Sequence, residues 1–333
     1  MPWLGILILI VHLLLPVLPS SGQNSKVDSV RLNAADKEEL AEALRLKAEI
    51  GDEVWPGLGP AEIPIILYDE NSEFLVGEAN APPPWQTVND DDFIGMRYFR
   101  RAAAKPQSFA VALGARWAGS LGSFGYMSSR IPLKLGRDFH IVLILHEVFH
   151  AFQATRAPQH FRRALGVYKS ENRYPFKNAD FAAAWNSEGK ALAGAIQAAE
   201  ADLVSSRARK FLDIRDARRA RAAIDAELLS FERELEWLEG LAKYVEVRFY
   251  ELAAARAPEP ADAKLQAEGW PFFPGDLARL RANLGQQRGD LRFYLSGMAQ
   301  ARLLDRLSPG WKSRALEEGL YLEDMLRAAM AFK

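Results

Sequence analysis

A chain of 333 residues that is 49% apolar and 26% charged can close a sizeable core, which excludes a disordered tail protein and leaves one large or two modest domains. Its 42 Lys and Arg against 43 Asp and Glu give a net charge of −1, so no basic field points to nucleic acid. With no cysteine in the chain, disulfide scaffolds, thiolate zinc fingers, iron–sulfur clusters and cysteine nucleophiles are excluded together, and any metal must be held by His, Asp or Glu.

Apolar residues dominate from Trp3 to Leu18 with no Lys, Arg, Asp or Glu, and Pro19-Ser20-Ser21-Gly22 closes the run before Gln23. This pattern predicts a secretory signal peptide over residues 1–22 and an exported protein, periplasmic or extracellular. The competing expectation is an uncleaved anchor, for which the run falls short of the ~20 residues of a spanning helix.

Within the N-terminal segment 23–60, Asn33 to Ile50 has helix character: Asn33 or Asp36 can cap the start, acids fill the first turn, and Gly51 stands just past the end. Between Ala61 and Val142 the runs Ile63 to Tyr68, Ser108 to Leu113 and Phe139 to Val142 are β-rich and separated by turns bearing Pro and Gly. They predict a small mixed sheet. From Leu143 onward the chain is rich in Ala, Leu, Arg and Glu at helical spacing, broken at Pro175, at Pro258 to Pro274 and at Pro309-Gly310. The fold class is therefore α+β, with a sheet part over 61–142 and a mainly helical part over 143–333. The basic run from Arg207 to Arg221 is interleaved with Asp213 and Asp216 and followed by Asp225 and Glu227, without aromatic residues in ladder spacing. It predicts a solvated helix face and not a nucleic-acid surface.

Chemistry enters at Leu145-His146-Glu147-Val148-Phe149-His150, an HExxH motif. On a helix, residues four apart share a face, so His146 and His150 can present ring nitrogens to one zinc ion. Glu147, one position round, lies beside the metal, where it can take a proton from a zinc-bound water. The bland alternative is a buried helix whose two histidines are hydrogen-bonded core residues. His140 and His160 lack ligand spacing and are expected to have surface or packing roles. A catalytic zinc needs a third protein ligand, and two carboxylates stand in similar settings, Glu188 before Gly189 and Glu239 before Gly240. In both, the glycine and the nearby alanine would let a helix approach another closely.

The stretch Leu238-Glu239-Gly240-Leu241-Ala242-Lys243-Tyr244-Val245-Glu246 resembles the NEGFAxYxE helix of the gluzincin metallopeptidases, the group that includes thermolysin and the alanyl aminopeptidases. The resemblance implies a zincin-like fold, a zinc cofactor, Glu239 as third ligand and Glu246 behind the ligands. Tyr294-Leu295-Ser296-Gly297-Met298 is similar to the aminopeptidase YxKGA segment, which would give Tyr294 the task of stabilising an oxyanion. This chain departs from the pattern in having Leu238 before the ligand, 88 residues between His150 and Glu239, and no GxMEN motif, the nearest texture being Gly119-Ser120-Leu121-Gly122-Ser123. Aminopeptidase activity is not implied. An inserted helical pair would fill the gap, with Glu188 facing the site.

The expectation is an exported zinc metallopeptidase acting on a peptide or protein, with no nucleic-acid partner and no membrane association after signal removal. Sheet edges such as Ala110 to Ser120 would pair with an extended substrate. The alternative is a secreted structural or binding protein in which zinc is a vestigial or structural ion, as a site closed by four protein ligands, for example His146, His150, Glu188 and Glu239, would favour.

Overall fold

The computed structural model describes residues 30–90, 93, 97–130, 136–256, 272–287 and 289–331. The predicted signal peptide and its cleavage point lie outside them, as does most of the Pro258 to Pro274 breaker. Among the described residues no helix is long and apolar enough to cross a membrane.

Helix α1 runs from Ala34 to Val54, with the Asn33 side chain accepting from the Asp36 amide at 2.8 Å. The cap is as expected, but the helix continues through Gly51. That glycine serves a close approach and not a helix end: a Cβ there would sit 2.8 Å from Gly59 Cα.

Six strands follow: β1 Ile65–Tyr68, β2 Ser72–Val76, β3 Gln86–Val88, β4 Tyr98–Ala102, β5 Phe109–Leu113 and β6 Arg116–Gly122, in the order β3-β4-β2-β1-β6-β5. Only β1 and β6 run parallel, with Ile65 opposite Gly119, so the sheet is mixed. β5 and β6 form a hairpin through Gly114 and Ala115, and Gly114 takes φ +61°, which suits glycine in so short a turn. Of the stretch Ala110 to Ser120, only β5 is an edge; β6 is paired on both sides.

The run Phe139 to Val142, expected as a strand, is instead the start of helix α3, Arg137–Arg156. Every residue from Phe139 to Ala154 is buried, so the run has neither a polar face nor alternation, and a buried helix then looks like a buried strand. The helices that follow the sheet thus begin ahead of residue 143, with α2, Phe124–Arg130. α3 lies directly on β6, where a Cβ on Gly119 would come within 2.6 Å of Val148 N and 2.8 Å of Glu147 C. Gly119→Ala should therefore force strand and helix apart at ~1–3 kcal/mol, seen as a lowered melting temperature; an unchanged one would contradict this packing.

The helical half continues with α4 Pro158–Gly166, a 3-10 helix Val167–Arg173, α5 Ala179–Gln197, α6 Ala201–Arg221, α7 Ala226–Leu235 and α8 Leu241–Arg256. These fill the gap between His150 and Glu239 with more than the single helical pair expected. Between α7 and α8 the π-helical turn Glu236–Gly240 has right-handed helical residues on both flanks, so Ala226 to Arg256 is one continuous rod. Then come α9 Phe272–Asn283, α10 Leu291–Leu307 and α11 Leu322–Ala331.

The basic run on α6 is not simply a solvated face. Lys210 and Arg221 are exposed, but Arg215 and Arg218 are 0% and 1% exposed. Arg215 binds Glu188 at 3.0 Å, Glu236 at 2.5 Å and Glu323 at 3.2 Å, while Arg218 binds Glu188 and, at 2.5 Å, Glu232. Their partners lie on α5, α7, the π-turn and α11, too far along the chain for local charge patterning to reveal.

Candidate metal centre

Three elements converge on one point. α3 supplies His146, Glu147 and His150, the α7–π–α8 rod supplies Glu239 and Glu246, and α10 supplies Tyr294. The π-turn matters because it inserts an extra residue into the helix, a feature frequent at functional sites. Residues three apart on a regular helix share a face, yet here Glu236 reaches Arg215 while Glu239 reaches the histidines. α10 crosses the π-turn backbone to backbone: a Cβ on Gly240 would lie 2.5 Å from Gly297 Cα. Gly240 and Gly297, both singled out in the sequence, thereby bring Tyr294 level with Glu239. The Tyr294 ring lies parallel to that of His146 at 5.8 Å and 10°.

The facing donor atoms are His146 Nε2, His150 Nε2 and Glu239 Oε2. The two nitrogens are 3.1 Å apart, and they lie 3.8 and 3.2 Å from the carboxylate oxygen. A tetrahedral zinc with bonds of 2.0–2.1 Å holds its ligand atoms about 3.3 Å apart. Glu239 Oε2 is buried without a hydrogen-bond partner, which is costly unless something else occupies the position. Among the described residues this trio is the one group of His, Asp or Glu whose atoms gather closely enough for a metal.

Two of the ligands have their remaining polar atom hydrogen-bonded from behind, as metal ligands require for orientation, and the third, His146, has a carboxylate close behind it without a hydrogen bond. His146 Nδ1 lies 3.3 Å from Glu246 Oε2. His150 Nδ1 meets Gln153 Oε1 at 2.9 Å, and Tyr168 donates to Glu239 Oε1 at 3.2 Å. Glu246 is itself fixed by Lys243 Nζ at 2.5 Å, and Lys243 also pairs with Asp276 at 3.1 Å. The Tyr168 hydroxyl is equally close to Asp290, 3.2 Å away. One hydrogen cannot serve both carboxylates, and burial beside Glu239 pushes the Asp290 carboxyl up to about 7.

Electrostatics point the same way. Burial would lower the pKa of His146, but Glu239 and Glu246 outweigh it and push it up to about 10. Burial lowers that of His150. Glu239 is held well below the usual carboxylate range by the two histidines, although burial opposes them. Burial raises Glu147 to about 8, with His146 opposing and Glu239 and Glu246 reinforcing. In the metal-free pocket His146 and Glu147 therefore both hold protons at neutral pH, and a divalent cation held by His146, His150 and Glu239 would displace the one on His146.

The residues expected from the sequence are brought together with one exception. Glu188 lies on α5, where Arg215 takes one carboxylate oxygen at 3.0 Å and Arg218 takes the other. Of the surface or packing roles expected of them, His140 and His160 take packing ones: His140 bridges Glu39 at 2.7 Å and the Gly122 carbonyl at 2.8 Å, and His160 stacks on Trp237 at 3.8 Å. Sequence reasoning missed Gln153, Tyr168, Lys243 and Asp290. Gln153, three residues after His150 on the same helix, carried a usable spacing signal; Tyr168 and Asp290 carried none. Comparison with protein-family models, curated proteins and solved structures finds no match.

Proposed function

We propose that this chain is an exported zinc-dependent peptidase of gluzincin type. The observation that carries the reading is the meeting of two imidazole nitrogens and an unpartnered buried carboxylate oxygen beside Glu147. His146, His150 and Glu239 would hold the ion. When bound, zinc supplies a Lewis acid at an open position and lowers the pKa of water there to about 7. Glu147, whose Oε2 is buried without a partner, would take a proton from the water that attacks the carbonyl carbon and return it to the nitrogen that leaves as the C–N bond breaks. Tyr294, held well above the ordinary tyrosine pKa by burial and by Glu239, keeps its hydroxyl hydrogen to donate to the developing oxyanion. β5 supports peptide binding: it is an edge strand, and the ring of its Phe109 lies 4.5 Å from that of His150. An extended peptide would add to that edge through its backbone.

A zinc closed off by Glu188 as a fourth ligand, one form of the structural alternative, is disfavoured because Arg215 and Arg218 each take one of its carboxylate oxygens. The test compares zinc affinities by chelator competition. Glu239→Ala is expected to lose zinc by at least ~100-fold, since it removes a ligand outright, whereas outer partners are worth about 10–100-fold. Glu188→Ala should bind zinc like the parent chain while unfolding more easily. A larger zinc loss in Glu188→Ala overturns the ligand assignment.

A further inference from the structure

Gln153 is 0% exposed and divides its amide between two structures, the His150 ring on α3 and the π-turn. Its oxygen faces His150 Nδ1 at 2.9 Å, and its nitrogen donates to the Trp237 carbonyl at 3.0 Å and the Leu238 carbonyl at 3.2 Å. The orientation of this amide is fixed by those neighbours. Turned over, it would set its oxygen against two carbonyl oxygens, so the oxygen must face the ring. His150 therefore carries its hydrogen on Nδ1 and presents a bare lone pair on Nε2, toward His146 Nε2 and Glu239 Oε2.

The two carbonyls belong to the π-turn Glu236–Gly240. A π-turn displaces carbonyls from the regular helical ladder, and buried carbonyls need donors. Gln153 supplies both of its hydrogens at the two residues that immediately precede Glu239.

We propose that Gln153 is a positioning residue for the metal centre, setting the tautomer of His150 and, through the same amide, the π-turn that aims Glu239. The metal part of this inference rests on the reading of His146, His150 and Glu239 as zinc ligands. Gln153 touches neither ion nor substrate. Its effect is to make the ligand on α3 and the ligand on the α7–π–α8 rod assemble together.

Two variants separate the tasks. Gln153→Glu keeps an acceptor for His150 Nδ1–H but loses both donors to the π-turn, while Gln153→Leu loses everything. Zinc affinity is measured by chelator competition, and the His150 tautomer by nitrogen-15 spectra of the histidine rings. Both variants are expected to bind zinc 10–100-fold more weakly than the parent chain. The ring spectrum should show the Nδ1–H form in the parent and in Gln153→Glu, and lose it in Gln153→Leu.

Parent-like zinc affinity in a folded variant overturns the proposal, as does an Nε2–H form in the parent. If Gln153→Leu fails to fold, Gln153→Glu and the parent spectrum decide in the same way. A parent chain that takes up no zinc, yet shows the Nδ1–H form, refutes the metal-centre reading and leaves the tautomer assignment standing.

Discussion

Glu147→Gln is expected to leave zinc uptake unchanged and to reduce hydrolysis of quenched fluorescent peptides by about 10²–10⁴-fold, the contribution of a positioned general base. The amide keeps the shape of the carboxylate and cannot accept the proton. Like His146 and His150, Glu147 is buried. It is not a ligand. Its Oε2 makes no hydrogen bond, and burial, reinforced by Glu239 and Glu246, pushes its carboxyl up to about 8.

That shift has a sign for stability. The folded carboxyl holds its proton more tightly than the unfolded one, so in the metal-free chain this group destabilises the fold as pH rises from about 4.5 to about 8. Glu147→Gln should consequently melt higher than the parent chain when metal-free at neutral pH, the usual exchange of stability for a strained site. Retained hydrolysis in this variant would sink the mechanism, whatever its metal content.

What the sequence made legible follows from distance along the chain. His146, Glu147 and His150 are a local pattern, and helical geometry alone places the two rings together. Glu239 is separated from His150 by 88 residues and was legible only through its resemblance to a known motif, because Glu188 stands in nearly the same local context. Each precedes a glycine at a helix crossing, as the spacing of small residues predicted. The partners of the crossings differ: Gly189 meets Leu280 on α9, and Gly240 meets Gly297 on α10. No local rule distinguishes these two cases. Tyr168 reaches Glu239 from 71 residues away, and the π-turn that aims Glu239 has no marker in residue type. The strand reading of Phe139 to Val142 failed for a related reason: burial on all sides erases the periodicity by which a helix is recognised.

The largest stability effect is expected at Arg218. Its guanidinium is 1% exposed, pairs with Glu188 and with Glu232 at 2.5 Å, and lies over the Trp185 ring at 4.2 Å. Burying such a pair gains little overall, because desolvation consumes most of the attraction, but removing one partner strands the other charge. Arg218→Leu is therefore expected to cost about 3–5 kcal/mol in urea unfolding, and adding Glu232→Leu should recover part of it, since the two residues are directly coupled. A loss below about 1 kcal/mol would mark the pair as no better than a surface contact.

The pH dependence follows from the same geometry. Burial opposes ionisation of Glu232, but Arg218 and Arg219 prevail and hold its carboxyl well below the ordinary range. Its contribution is thus present above the unfolded value of about 4.5 and lost only as pH falls toward the folded one. Arg218→Leu should shift acid unfolding to higher pH. The same cluster reaches the candidate site through Glu236, which takes Arg215 at 2.5 Å and the Ser296 hydroxyl at 2.5 Å. Glu236 opens the π-turn that ends one residue past Glu239. Arg215→Leu should accordingly lose zinc affinity as well as stability, whereas Arg218→Leu, one residue pair further from the π-turn, should lose mainly stability. Equal zinc losses in the two variants would show that the charge cluster supports the fold as a whole and does not set the aim of Glu239.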